Sequence, residues 1–157
     1  MDSTLNNIIK VYLAQMDSAI KISEKLCNHS DRDEMTGDDI ICGLIYRLMR
    51  PMTNNEMTES LSNASLLLDD DDDDDYVDDD DVEDDDYVED DDYVEDEVEI
   101  EESKVSRKIK SNNCNCETCV DIRVCLLNYN SHEPLDELAQ RFKNSIEQTC
   151  EKYKIFI

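Results

Sequence analysis

The chain has 157 residues and a formal net charge of −27, with two glycines, two prolines, seven cysteines and no tryptophan. That composition argues against a β-sandwich or a doubly wound nucleotide-binding sheet, and no glycine-rich phosphate loop, H-E-x-x-H or G-x-S-x-G pattern is present. The expectation is a mostly α protein that is not an enzyme.

The charge divides the chain into three parts. Residues 1–67 carry ten acidic and six basic side chains, residues 68–102 carry 25 acidic and no basic ones, and residues 103–157 carry seven acidic and nine basic ones. Two small foldable segments separated by an acidic spacer are expected. Each is below the size at which one core comfortably stabilises a domain, so a metal, a partner or dimerisation should help. No apolar run approaches the roughly 20 residues needed to span a bilayer. The start "MDSTLNN" lacks the basic and apolar regions of a signal peptide. The expected location is therefore intracellular, cytoplasmic or nuclear, and the cysteines are read as thiols or metal ligands rather than a disulfide framework.

In the first segment Leu5, Ile8, Ile9, Tyr12, Leu13, Met16, Ala19, Ile20, Leu26 and Cys27 recur at helical spacing and draw one apolar stripe. The spacing predicts a long helix with Ser3 as its N-cap. After the break "NHSDRDE", Thr36-x-x-Asp39 approximates a capping box for a second helix, which is expected to bury Ile40, Ile41, Leu44, Ile45 and Leu48 and to stop at Pro51. Thr53-x-x-Glu56 opens a weaker helix through Met57, Leu61 and Ala64. Cys27 and Cys42 are read as core, and His29 as a solvated loop residue.

Arg32, Met35, Thr36, Asp39 and Ile40 stand at the spacing found where the second and third helices of a histone fold meet, and "IIKVYLAQMDSAI" is similar to the centre of a histone second helix. The resemblance covers roughly Leu5 to Met49. It implies that Arg32 and Asp39 form a clamp between loop and helix, that the chain dimerises, and that its partner is a basic protein such as a histone or histone-fold subunit. Asp33 and Glu34 occupy positions where that family contacts DNA, and they would repel phosphate. The first helix of such a fold has no counterpart ahead of Leu5, and the C-terminal helix is the best candidate to replace it. The alternative is an ordinary helical hairpin with Arg32 in solvent.

The spacer repeats a unit close to Tyr-Val-Glu-Asp-Asp-Asp, with Tyr76, Tyr87 and Tyr93 embedded among carboxylates. It cannot bury enough apolar surface to offset ordering entropy and is expected to be disordered. It reads either as a solubilising linker or as a tract that covers a basic partner, with the three tyrosines as anchors.

In the last segment Cys114, Cys116 and Cys119 form a C-x-C-x2-C triplet suited to tetrahedral zinc. The expected set adds Cys125, with His132 and Cys150 as alternatives for that fourth position. "EPLDELAQRFKNSIEQTCEKY" predicts an amphipathic helix through Leu135, Leu138, Phe142, Ile146, Cys150 and Tyr153, with Pro134 near its first turn. The histone-like front and this cysteine segment together resemble small histone-like proteins of giant DNA viruses, which implies a virion as a further possible location. The expected function is a non-enzymatic, chromatin-associated interaction protein. The competing expectations are a small zinc-dependent adaptor on a helical scaffold, or an acidic mimic of nucleic acid.

Overall fold

The computed structural model describes residues 3–69 and 105–157. Residues 70–104, which hold all but the first two residues of the acidic spacer and include Tyr76, Tyr87 and Tyr93, lie outside the described residues. The described chain is mostly helical: α1 (Ser3–Asn28), α2 (Gly37–Met49), α3 (Asn54–Asp69), α4 (Glu117–Asn128) and α5 (Glu137–Lys152). Two short strands, β1 (Arg107–Lys108) and β2 (Ile155–Phe156), pair in parallel and tie the start of the last segment to its end. No described helix is long and apolar enough to cross a membrane.

Local chemistry sets the helix boundaries. Thr36 Oγ1 accepts the Asp39 N–H at 3.3 Å while Asp39 Oδ2 accepts the Thr36 N–H at 2.8 Å, so α2 starts with a reciprocal capping box. The same arrangement opens α3 between Thr53 and Glu56, at 2.8 and 3.3 Å. Asp136 caps α5 through the Ala139 N–H at 2.8 Å. That helix therefore begins beyond Pro134, and Leu135 stands 99% exposed ahead of it instead of joining the apolar stripe.

The three front helices meet through small side chains. On α1 the buried residues are Ala14, Ser18, Ala19, Ser23, Leu26 and Cys27. The α3 helix runs back along α1, fastened by Lys21–Glu59 at 2.9 Å and Asn63–Asp17 at 3.3 Å, and its own buried residues are Ser60 and Ala64. Close backbone approach leaves the larger apolar side chains of α1 at the rim. Leu5, Ile8, Met16 and Ile20 remain exposed although they lie on the stripe read from the sequence. Ile40 is likewise exposed, because the first turn of α2 directs Asp38 and Asp39 inward in its place.

Front and back segments share one core. Leu26, Ile41, Cys42 and Ile45 pack with Ile109, Cys119, Ile122, Cys125, Tyr129, Phe142, Ile146 and Cys150. The Tyr12 and Phe142 rings meet edge to face, with centroids 5.9 Å apart, and bring α5 against α1. Arg50 grips Asp121 on α4 at 2.8–3.1 Å. Pooling both segments gives each an apolar partner surface that neither could supply alone.

At Gly43 α2 approaches α1 closely. A Cβ built there would lie 2.1 Å from Ser23 Oγ and 2.3 Å from the Ala19 carbonyl oxygen. Backbone cannot withdraw as a side chain can, so Gly43→Ala should force α2 off α1 and cost about 3 kcal/mol. Urea unfolding of the full chain reads this directly. A loss below about 0.5 kcal/mol would mean that the two helices do not approach so closely.

Candidate metal centre

The α1 helix ends in a turn that carries His29 just beyond its last residue. The His29 N–H bonds the Lys25 carbonyl at 3.0 Å, the Ser30 N–H bonds Cys27 at 3.0 Å, and Ser30 Oγ bonds Leu26 at 2.7 Å. Asp31 then takes a left-handed conformation, φ 54°, and stops the helix. The following loop is fixed by a two-pronged ion pair, Arg32 Nη1 to Asp39 Oδ2 at 2.8 Å and Arg32 Nη2 to Asp39 Oδ1 at 2.6 Å. Cys27 Sγ also donates to the Arg32 carbonyl at 3.4 Å.

The cysteine loop reaches the same place from the other end of the chain. Arg107 makes a second two-pronged pair, with Asp38, at 2.8 Å on both prongs, and the Lys110 N–H adds a bond to Asp38 Oδ2 at 2.8 Å. Asn112 Nδ2 donates to the Leu26 carbonyl at 3.4 Å and to Cys119 Sγ at 3.3 Å, while Arg123 holds the Asn112 carbonyl at 2.9 Å. Lys25 Nζ crosses to Thr118 Oγ1 at 3.0 Å. The loop is thereby laid across the end of α1.

There His29, Cys114, Cys116 and Cys119 bring their ligand atoms within 4.8 Å of one another. His29 Nδ1 lies 3.1 Å from Cys116 Sγ and 3.5 Å from the sulfurs of Cys114 and Cys119. Donors about 2.0–2.3 Å from one tetrahedral ion stand roughly 3.5–3.8 Å apart, so the group could hold a metal ion with little adjustment. Three soft sulfurs and one imidazole suit zinc-like ions better than magnesium or calcium. Backbone amides also point at the sulfurs: the Cys116 N–H at Cys114 Sγ and the Cys119 N–H at Cys116 Sγ, both 3.4 Å. The Cys119 amide at the start of α4 brings the Cys116 thiol down to about 6, whereas burial pushes the Cys119 thiol up to about 11.

Cys114, Cys116 and Cys119, expected as ligands, are thus brought together, and Cys125 is not among them. It shares α4 with Cys119, six residues on, and that spacing is about 9 Å of helix rise. Its side chain is buried in the common core. The fourth donor is His29, which the sequence reading leaves in solvent, and His132 and Cys150 are not part of the group. The signal for His29 was its place immediately after a long helix, but its partners stand 85 to 90 residues away. Arg32 and Asp39, expected as a clamp, are paired as described. Comparison with protein-family models, with curated proteins and with solved structures returned no match.

Both aspartates that orient the two loops titrate below the usual carboxylate range. For Asp38 the Arg107 hydrogen bonds dominate; for Asp39 burial would raise the value, but bonds from Arg32 and Thr36 outweigh it. A carboxyl depressed in the folded state stabilises it above the unfolded value near 3.8, and that contribution is lost as pH falls through the folded value. Asp39→Asn should therefore be clearly less stable than the parent at pH 7, with the gap closing as the pH falls below the unfolded value near 3.8. Denaturant midpoints measured across that range check it, and a gap independent of pH would overturn the assignment.

Proposed function

We propose that the chain is a non-enzymatic interaction protein, a helical scaffold closed by a structural zinc ion at His29, Cys114, Cys116 and Cys119. Its acidic, tyrosine-bearing tract engages a basic DNA-associated partner such as a histone or histone-fold subunit. The observation that carries the metal half is the convergence of three sulfurs and one imidazole from opposite sides of the acidic tract. All four tetrahedral positions would be filled by protein, and such a closed set leaves no place for a substrate on the ion. Support for the partner half comes from charge: 25 carboxylates in residues 68–102, with no lysine or arginine among them, favour a cationic surface. The Arg32–Asp39 pair at the join of α1 and α2 is compatible with a histone-like pairing of subunits.

Native mass spectrometry of the full chain, with and without a strong chelator, should find one zinc per chain that the chelator removes. At free zinc one hundred times its dissociation constant, the folded state gains about 2.7 kcal/mol, read as a higher melting temperature. His29→Ala should lose most of that gain, whereas Cys125→Ala should keep its response to zinc. A chain that takes up no zinc, or an unchanged response in His29→Ala, would sink the metal centre. Binding to a core histone should be salt-sensitive and weakened when Tyr76, Tyr87 and Tyr93 become alanine. Unchanged affinity in that triple variant would leave charge alone as the attraction.

A further inference from the structure

Cys116 and Cys119 form a C-x-x-C pair across the first turn of α4. Cys116 stands outside the helix as its N-cap, in extended backbone, and its sulfur accepts the Cys119 N–H at 3.4 Å. The side chain therefore folds back over the turn that carries Cys119, and the two sulfurs lie within 4.8 Å of each other. Their exposure differs sharply. Cys116 is half-buried at the surface, and Cys119 is fully buried, 0% exposed. A disulfide arriving from solvent meets Cys116 and cannot reach Cys119, whereas Cys119 can reach a sulfur bonded to Cys116. An accessible attacking thiol backed by a buried resolving thiol is the division of labour that dithiol exchange requires.

Cys114 is the competing partner. Its sulfur accepts the Cys116 N–H at 3.4 Å, and Cys114 lines a cleft of about 940 Å³ together with His29, Arg32, Arg107 and Lys110. A bond between Cys114 and Cys116 would span a single intervening residue and strain the disulfide torsion, whereas the pair on α4 spans a helical turn.

Resting on the metal reading above, we infer that Cys116 and Cys119 are a disulfide-exchange pair, and that their oxidation by a low-molecular-weight disulfide dismantles the ligand set. The Cys116 thiolate attacks one sulfur of that disulfide, whose S–S bond breaks and releases one thiolate. The Cys119 thiolate then attacks the Cys116 sulfur and expels the second thiolate. The two cysteines together give up two electrons, the added disulfide becomes two thiols, and a bound zinc ion leaves with its oxidation state unchanged. His29 and Cys114 remain as two ligands of the original four. Asn112–Leu26 and Lys25–Thr118 still tie the end of α1 to the back segment after the cluster is dismantled.

The test uses zinc-loaded full-length protein titrated with oxidised glutathione. Released zinc is followed with a chromogenic chelator, and disulfides are mapped by mass spectrometry after alkylation. The expected result is one zinc released per chain, in step with a Cys116–Cys119 bond, and both reversed by dithiothreitol. Cys119→Ser should stop at a glutathione adduct on Cys116, and Cys116→Ser should form neither adduct nor bond within the α4 pair. Zinc retained under a large excess of oxidised glutathione overturns the inference, as does a wild-type bond that joins Cys114 to either partner. If the chain takes up no zinc but the Cys116–Cys119 bond forms, the exchange pair stands and the metal reading falls.

Discussion

Two adjacent carboxylates at the start of α2 hold the whole arrangement in register. Asp39 takes the guanidinium of Arg32 and fixes the loop that follows His29, while Asp38 takes that of Arg107 and fixes the strand that leads to Cys114. Both aspartates are buried, 1% and 7% exposed, and a buried carboxylate is tolerable only when its hydrogen bonds are met. Here each is met by a planar, two-pronged donor and by a backbone N–H, from Thr36 and from Lys110. Loss of either arginine would leave a buried charge short of partners and would free one of the two loops that carry the candidate donors.

The position of α2 is itself set by packing. Gly43 lets α2 sit directly on the Ala19 carbonyl and the Ser23 hydroxyl, and this close contact places the two aspartates within reach of both arginines. Small residues on α1, α2 and α3 therefore do more than fill space. They decide how far the larger apolar groups stand from one another, and they leave Leu5, Ile8 and Met16 at the rim. A core assembled from two short, oppositely placed segments has little apolar area to spare, which is the circumstance in which a metal or an ionic tie contributes most.

Features encoded by neighbours in sequence were legible. Thr36 with Asp39, and Thr53 with Glu56, announce helix starts because both groups of each box lie three residues apart. Cys27 and Cys42 lie on the helical apolar spacing and are buried. The C-x-C-x2-C triplet pointed to clustered thiols for the same local reason. What escaped depends on distant pairing. His29 has no sequence neighbour that marks it as a candidate ligand, and α4 shows no clear stripe because the exposed Val120, Val124 and Leu127 add apolar residues away from the buried Cys119, Ile122 and Cys125. The parallel β1–β2 pair joins residues nearly fifty apart, and two-residue strands have no pattern to read. Ile40 and Leu135 depart from the apolar period because each sits at a helix start, where the cap decides which way the chain faces.

The distance between His29 and the cysteines bears on how the gene can vary. Bringing these side chains together closes a loop of 85 to 90 residues in the unfolded chain. The entropy of closure grows only with the logarithm of length, so doubling such a loop costs about 0.6 kcal/mol. Gain or loss of a few Tyr-Val-Glu-Asp-Asp-Asp units would change that by a small fraction. The repeat number is thus nearly invisible to folding stability and free to drift or to be selected on other grounds, whereas a single added methyl at Gly43 is not.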